Sequence, residues 1–335
     1  MKTQKQISAK VQPPTMHSLP DEPRGMSRRR FIKLAGVSAL GVSSWRSLRF
    51  STRGVSIVRD QADPIADSPP SLWALMELEK SLTSRGVDVH RCSTFDQARA
   101  GDVIVAAAGL GSSVANGLLQ ASRTSVPKVP EALGLVPAMA NSTEVLLACG
   151  YDVRGLVYAL LELADRVTHT EEPLDALSLR QPVVEQPAND IRSNARLFVS
   201  ETEDKPWFND REMWGHYLTM LAAQRFNRFN LSFGIGYDFL QNVTDAYFLF
   251  AYPFFLALPG YAVRVPQLPI AERENNLAML KFISDETVAR GLQFQLGLWM
   301  HGYEWLNSPN ANYTIEGLTH ETHGPYCRDA LRQLL

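Results

Sequence analysis

The stretch GYDVRGLVYALLELADRV, residues 150–167, carries the clearest secondary-structure signal in the chain. Its apolar residues recur at the three- and four-residue spacing of a helix buried along one side, which predicts a helix over Asp152–Thr168. Gly155 permits a tight helix start, and Tyr158 falls on the apolar face. Because a β-rich run ends at Cys149, just before this helix, the stretch is typical of an α/β layer domain.

The same alternation of strands and helices extends upstream. Strands are predicted at Val55–Val58, Val87–His90, Asp102–Ala107 and Glu144–Cys149, with an amphipathic helix at Ser71–Arg85. These elements predict a small α/β accessory domain over residues 54–170.

One loop in this domain resembles the start of a nucleotide-binding motif. Gly109-Leu110-Gly111-Ser112 follows a predicted strand, but Val114 stands where G-x-G-x-x-G needs its third glycine. The pattern therefore favours an ordinary strand-to-helix turn.

Residues 171–188 are rich in Pro and Glu and are predicted to be a linker. Longer strand–helix units follow it. Strands are predicted at Ala195–Ser200, Arg228–Phe233 and Leu292–Met300, and helices at Arg211–Phe226, Glu272–Arg290 and Pro325–Leu335. This repeat predicts an α/β fold in which residues 189–335 form about three units of a (β/α)8 TIM-type barrel.

Two motifs resemble parts of known glycoside hydrolases. G-x-x-R-G-x-x-Y, at Gly150–Tyr158, resembles the end of the accessory domain in α-glucuronidases and β-hexosaminidases, and residues 222–230, AAQRFNRFN, resemble their step between the first two barrel strands. Ala159 departs mildly from the glycine that many relatives carry. The resemblance covers roughly residues 55–335. It implies an exported glycoside hydrolase-like protein with an oligo- or polysaccharide ligand.

In such barrels the active site lies at the carboxyl ends of the strands. Aromatic rings stack on sugar faces, while carboxylates and imidazoles bind hydroxyls. The resemblance further implies that a histidine at the end of the third strand, here His301, contacts the sugar. The predicted substrate-binding residues are Glu201, Tyr237, Asp238, Trp299, His301, Tyr303 and Glu304.

A complete barrel takes about 250 residues, which is more than residues 189–335 supply. Glycosidases place two carboxyl groups across the scissile bond, and in the resembled families these come mainly from the fourth and later strands. We therefore expect a catalytically incomplete fragment whose catalytic carboxylates lie beyond residue 335. The catalytic residues themselves are unknown from this sequence.

The first fifty residues have the features of an export signal. Arg28, Arg29, Phe31 and Lys33 match the twin-arginine signal S-R-R-x-F-L-K, and the mildly apolar run Leu34–Trp45 follows them. Residues 1–50 are thus predicted to be an export signal with a disordered leader. The twin-arginine translocase becomes a predicted partner, and the folded protein is expected in the bacterial periplasm or outside the cell.

Composition excludes several other classes. A formal net charge of -2 gives no general attraction to nucleic acid. Three widely separated cysteines are too sparse for a disulfide framework or zinc site, and buried thiols are expected instead. No cofactor, metal or stable membrane span is predicted. Two alternatives stay open: a non-catalytic glycan-binding protein and a redox enzyme exported by the twin-arginine route.

Export should depend on Arg28 and Arg29. Replacing both by Lys keeps the charge but removes the planar guanidinium groups that the receptor reads, so the double variant should accumulate in the cytoplasm. Immunoblots of periplasmic and cytoplasmic fractions measure this. An unchanged periplasmic yield would contradict the signal assignment.

Overall fold

The computed structural model describes residues 53–140, 142–235, 244–299 and 308–334. The first part forms a six-stranded sheet in the order β2-β1-β3-β5-β4-β6. Its elements are β1 Val55–Arg59, α1 Pro69–Ser84, β2 Val89–Cys92, β3 Val103–Gly109, α2 Ser113–Ser122, β4 Leu133–Ala140, β5 Thr143–Gly150, α3 Val153–His169 and β6 Val183–Glu185. Strands β2, β1, β3 and β5 are parallel, whereas β4 and β6 join antiparallel.

Helices cover both faces of this sheet. α1 and α3 bury Leu78, Leu82 and Leu160 against one face, while α2 packs Leu118 against the other. β3 is accordingly buried almost throughout, which explains why its sequence is a continuous run of small apolar residues rather than an alternating one. The α/β fold class predicted from the sequence is confirmed.

Strands β4 and β6 were not predicted. β4 contains Pro137, which weakens the sequence signal for a strand. β6 pairs only with Leu133–Leu135, so Pro137 lies where β4 is an edge and its missing N–H costs no ladder hydrogen bond. β6 falls inside residues 171–188, where a linker was expected, and this part of that segment completes the sheet.

The second part of the chain forms a three-stranded parallel sheet, β7-β8-β9. Its elements are β7 Ser193–Leu197, α4 Glu201–Phe208, α5 Arg211–Ala223, β8 Arg228–Phe233, α6 Tyr252–Phe255, α7 Ile270–Ala289, β9 Gln293–Leu298 and α8 His320–Leu334. Each strand leads to helices before the next strand begins. This is the repeating unit of the barrel that the sequence predicts.

The short helix α4 was also not predicted. The Ser200 side chain accepts a hydrogen bond from the Glu203 N–H at 3.4 Å and so caps the helix at its start. Because the cap ends the strand early, β7 stops at Leu197 rather than Ser200.

Aromatic side chains fill the layer between this sheet and its helices. Phe198, Phe233 and Phe248 lie within 4.7–6.1 Å of one another by ring centroid, and all three are buried. The apolar segment Ala251–Leu258 packs into this same core. None of the helices in the described part of the chain is long and apolar enough to span a membrane.

All three cysteines carry free thiols. Cys92 and Cys149 are buried and Cys327 is partly buried, as the sequence predicts. Burial raises the pKa of the Cys149 thiol to about 12, which disfavours the reactive thiolate at neutral pH.

The two sequence motifs meet at the junction between the sheets. Glu131 is 5% exposed, and its carboxylate pairs with Arg154 at 3.1 Å and with Arg192. Asn227 Nδ2 donates to the same carboxylate at 2.8 Å. Arg154 belongs to the first motif and Asn227 to the second, so one buried carboxylate connects them.

Tyr158 makes the second connection across this junction. Its hydroxyl donates to the carbonyl oxygen of Phe226 at 3.1 Å and lies 3.3 Å from Arg192 Nη2. Burial, together with the nearby Glu131 carboxylate, raises the pKa of Tyr158 to about 12. The phenol therefore stays protonated, and remains a donor, across the physiological range.

The glycines of the first motif permit the close approach on which this arrangement depends. A Cβ on Gly150 would lie 2.0 Å from the Leu156 nitrogen, and one on Gly155 would lie 2.3 Å from the Ala132 oxygen. These contacts are with backbone, which cannot rotate away. Both positions therefore require glycine for the helix α3 to begin directly against the end of β5.

Replacing Glu131 by Gln should destabilise the protein by about 3 kcal/mol, because Arg154 and Arg192 would lose the charge that compensates them. The midpoint of urea unfolding measures the effect. Glu172→Gln is the matched control, since Glu172 is exposed and has no ion pair with any residue that the structure describes. Equal midpoints for the two variants would show that the junction does not depend on the Glu131 charge.

Candidate saccharide-binding face

The sheet β7-β8-β9 has helices on one face, and none of the described helices covers the other face. Phe229, Leu231 and Phe233 of β8 point into the aromatic layer, so alternate residues point the other way. We call that second side the open face. Its described residues are Ser193, Ala195, Leu197, Arg228, Asn230, Ser232, Gln293, Gln295, Gly297 and Trp299.

The strand register arranges these residues in rows. Ala195, Asn230 and Gln295 form one row, and Leu197, Ser232 and Gly297 form the next toward the carboxyl ends. Gln295 is exposed, and Asn230 is half-buried. Ser232 is 2% exposed, and its hydroxyl donates to Asn230. The middle of the open face therefore presents the amide groups of Asn230 and Gln295, which can donate and accept hydrogen bonds with a polar ligand.

Trp299 lies at the carboxyl end of the open face. Its backbone N–H donates to the Phe233 carbonyl at 3.0 Å, which continues the ladder one residue beyond β9. Its side chain is 66% exposed. The described residues therefore leave most of the surface of this tryptophan uncovered.

Gly297 creates room beside that indole. A Cβ at Gly297 would lie 2.3 Å from Ser232 Oγ and 3.3 Å from Trp299 Nε1. Ser232 Oγ also donates to the side-chain oxygen of Asn230. The indole N–H, the serine hydroxyl and the asparagine amide are thus placed side by side.

Glu201 lies at the same end of the strands, on the first turn of α4. Its carboxylate accepts hydrogen bonds from the Tyr313 hydroxyl at 2.8 Å and from Asn312 Nδ2 at 3.1 Å, and pairs with Lys205 at 3.0 Å. The structure thus places this predicted substrate ligand in an internal network. Its contact with substrate stays a prediction.

Lys205 joins Glu201 to a second carboxylate. Its ammonium lies 2.6 Å from Glu272 Oε1 and 4.8 Å from the centroid of the Tyr247 ring. Burial lowers the pKa of Lys205, but hydrogen bonds to Glu272 and Glu201 outweigh that effect and raise it overall. The ammonium is therefore charged at any physiological pH.

The two tyrosines beside these carboxylates are donors. Tyr247 donates to Glu272 Oε1 at 2.7 Å, as Tyr313 does to Glu201. Burial, and then the hydrogen bond to a carboxylate, raises the pKa of each phenol. Both hydroxyls therefore keep their protons.

Two other polar or aromatic residues after β7 have structural roles. Asp204 accepts the backbone N–H groups of Val199 and Ser200 at 2.7 and 2.9 Å. Trp207 packs on Phe198, with the Arg196 guanidinium 4.0 Å from its ring centroid on the helix-covered side. Neither belongs to the open face.

The other five predicted ligands lie outside the described residues. They are Tyr237, Asp238, His301, Tyr303 and Glu304. Of the seven predicted ligands, Glu201 and Trp299 are therefore the two that the structure positions, and it positions both at the carboxyl ends of the strands.

Asn230, Ser232 and Gln295 were not predicted from the sequence. The signal for them was present, because polar residues alternate with apolar ones in Arg228–Phe233 and in Gln293–Leu298. Lys205 and Asp245 were not predicted either. Lys205 follows Glu201 at the four-residue spacing of a helical ion pair, so a local signal for it was present. The Glu272 partner of Lys205 and the Glu201 N–H that Asp245 accepts come from distant segments and leave no local pattern.

The glycine loop of the accessory domain is an ordinary turn, as predicted. β3 leads into α2, and Ser112 caps that helix by accepting the Ala115 N–H at 3.0 Å. The Asp63 carboxylate accepts the N–H of Gly109, and the Ile65 side chain fills the space beside that glycine. A carboxylate thus occupies the position where a phosphate cradle would need a free N–H.

Comparison with known proteins finds likenesses among solved structures. No protein-family model matches the chain, and no curated protein matches it. A GH138 enzyme that targets pectin rhamnogalacturonan II has 19% sequence identity and a TM-score of 0.47 over 73% of this chain and 24% of its own. CpGH84D has 11% identity and a TM-score of 0.44 over 84% of this chain and 39% of its own. This chain therefore spans less than half the length of either structure.

Gly297→Ala should destabilise the protein by about 1–3 kcal/mol, because the new methyl group overlaps Ser232 in a closely packed row. Gly117→Ala is the control, since a Cβ there would have no neighbour within 4 Å. Thermal unfolding of both variants measures the difference. Equal stability of the Gly297→Ala variant and the control would show that Ser232 leaves room for a methyl group at position 297.

Proposed function

We propose that this chain is part of an exported, glycoside hydrolase-like carbohydrate-active protein, and that the open face of β7-β8-β9 forms one wall of its saccharide site. The observation that carries the proposal is the exposed Trp299 on the same face as the amide groups of Asn230 and Gln295. It lies at the carboxyl ends of parallel strands, where barrel enzymes bind their ligands.

The chemistry of this face suits a sugar. A pyranose ring has apolar C–H faces and a rim of hydroxyl groups. The 66% exposed Trp299 offers a flat apolar surface for the former, and Asn230 and Gln295 offer donors and acceptors for the latter. Arg228, at the amino end of β8, is the one charged residue among the described residues of this face. The neutral, hydrogen-bonding groups near Trp299 can orient a ligand without requiring it to be charged.

The described residues of the open face include no carboxylate. Glycosidases cleave with two carboxyl groups about 5–9.5 Å apart, so we assign these strands to binding and not to bond cleavage. Catalytic incompleteness of this chain is part of the proposal. A glycan-binding protein without hydrolase activity remains the second candidate, and the same exposed tryptophan favours it.

The proposal also includes export. Arg28 and Arg29 lie outside the described residues, so the support is the sequence pattern alone. The redox alternative is less favoured because Asp63 already occupies the Gly109 N–H of the one glycine-rich loop that the sequence analysis considered.

Trp299→Ala should weaken oligosaccharide binding about tenfold, which corresponds to the upper range of an aromatic stacking contact. The full chain is first screened on a glycan array that includes N-acetylhexosamine and glucuronic acid oligosaccharides. Affinities for the best ligand are then measured by calorimetry. Tyr151→Ala is the matched control, because Tyr151 is also exposed, at 40%, but lies in the six-stranded sheet domain.

Three outcomes are informative. Weaker binding by Trp299→Ala alone supports the open face as the site. Equal losses in both variants, or no binding to any glycan, would reject it. Release of p-nitrophenol from aryl glucuronides or N-acetylhexosaminides by the unaltered chain would show that it cleaves as well as binds, and would contradict the assignment of these strands to binding only.

A further inference from the structure

Three segments, one following each strand of the β7-β8-β9 sheet, meet at Glu201. The Glu201 backbone N–H donates to Asp245 Oδ2 at 2.6 Å, which connects the segment after β8. Asn312 and Tyr313, which follow β9, donate to the Glu201 carboxylate. The last two segments also join each other, because the Ala246 N–H donates to Asn312 Oδ1 at 2.8 Å.

Lys205 supplies the positive charge at this meeting point. Its ammonium lies 3.0 Å from Glu201 and 2.6 Å from Glu272. Without it, two carboxylates would face each other across the space that the ammonium fills, and like charges at this distance repel. Lys205 therefore removes a repulsion between the carboxylate that binds Asn312 and Tyr313 and its neighbour Glu272.

The same end of the sheet carries Trp299. The Phe198 ring stacks on Tyr247 at 5.6 Å, and the Phe198 N–H donates to the carbonyl of Ser232. Ser232 in turn lies on the open face beside Gly297. The Lys205 network and Trp299 on the open face thus lie at the same end of the strands, on two sides of the sheet.

We propose that Lys205 is a positioning residue for the saccharide site: it holds the segments after β7, β8 and β9 in the arrangement that a glycan contacts at Trp299. Lys205 does not itself touch the ligand. This inference rests on the proposed function for its ligand, while the ordering of the three segments can be measured without one.

The test compares Lys205→Met, Lys205→Arg and the unaltered full chain. Hydrogen exchange followed by mass spectrometry reports on residues 244–250 and 311–316. Lys205→Met should exchange roughly two- to fivefold faster in both segments, as expected for a partly exposed ion pair. Lys205→Arg should restore slow exchange, because a guanidinium can also pair with two carboxylates.

Lys281→Met is the matched control. Lys281 is exposed on α7, the helix that carries Glu272, and it has no ion pair within the described part of the chain. Its exchange in residues 244–250 and 311–316 should equal that of the unaltered chain. The saccharide probes are N-acetylglucosamine trisaccharide and a glucuronic acid-terminated disaccharide, with affinities measured by calorimetry.

Lys205→Met should bind the recognised probe several-fold more weakly, and Lys205→Arg should recover the affinity. Unchanged exchange in Lys205→Met would overturn the inference, and so would faster exchange with unchanged affinity. If the unaltered chain binds neither probe while Lys205→Met exchanges faster, the saccharide function fails and the ordering role of Lys205 stands.

Discussion

A single buried carboxylate holds the two halves of the described structure in register. Glu131 comes from the loop before β4, yet its partners Arg192 and Asn227 belong to the segments that lead into β7 and β8. A buried charge is stable only when it is compensated. The segments that carry Arg192 and Asn227 must therefore take the same position beside Glu131 in every folded molecule. Together with the Tyr158–Phe226 hydrogen bond and the ion pairs of Arg225 with Glu162 and Glu185, this requirement fixes the position of the β7-β8-β9 sheet and hence of its open face.

At the carboxyl ends of β7, β8 and β9, carboxylates are also compensated, here by one lysine and two tyrosines. Segments from three parts of the chain converge there, and two of them bring the carboxylates Glu201 and Glu272. Lys205 neutralises both, while Tyr313 and Tyr247 donate to them. The carboxylates at this end of the strands are thus compensated within the network, and the nearby part of the open face carries neutral hydrogen-bonding groups and one exposed indole.

Local sequence patterns predicted most strands and helices here, because α3 has the three- and four-residue apolar spacing of a helix and β8 has the alternation of a strand. β3, a short and continuous apolar run, was predicted from its length and composition. β4 and β6 escaped prediction for a physical reason. Pro137 is tolerated in β4 only because β6 leaves that part of the strand at an edge, and β6, with three residues, has no period of its own. Trp299 was predicted because it lies at the end of a strand. Asn230 and Ser232 would have been predicted only if the alternating polar residues of β8 had been assigned to one face of the sheet.

The sequence by itself determined the α/β class, the succession of strand–helix units and the glycines at which α3 can begin. It did so because spacing, capping and the absence of a Cβ act within a few residues of the chain. Only the tertiary structure decided that the Glu131 carboxylate binds both Arg154 and Asn227. It also decided that the Glu201 carboxylate, beside Lys205, accepts hydrogen bonds from Asn312 and Tyr313 in an internal network. Most of these pairings span about 20 to more than 100 positions, and the chain brings such residues together only after its sheets have packed.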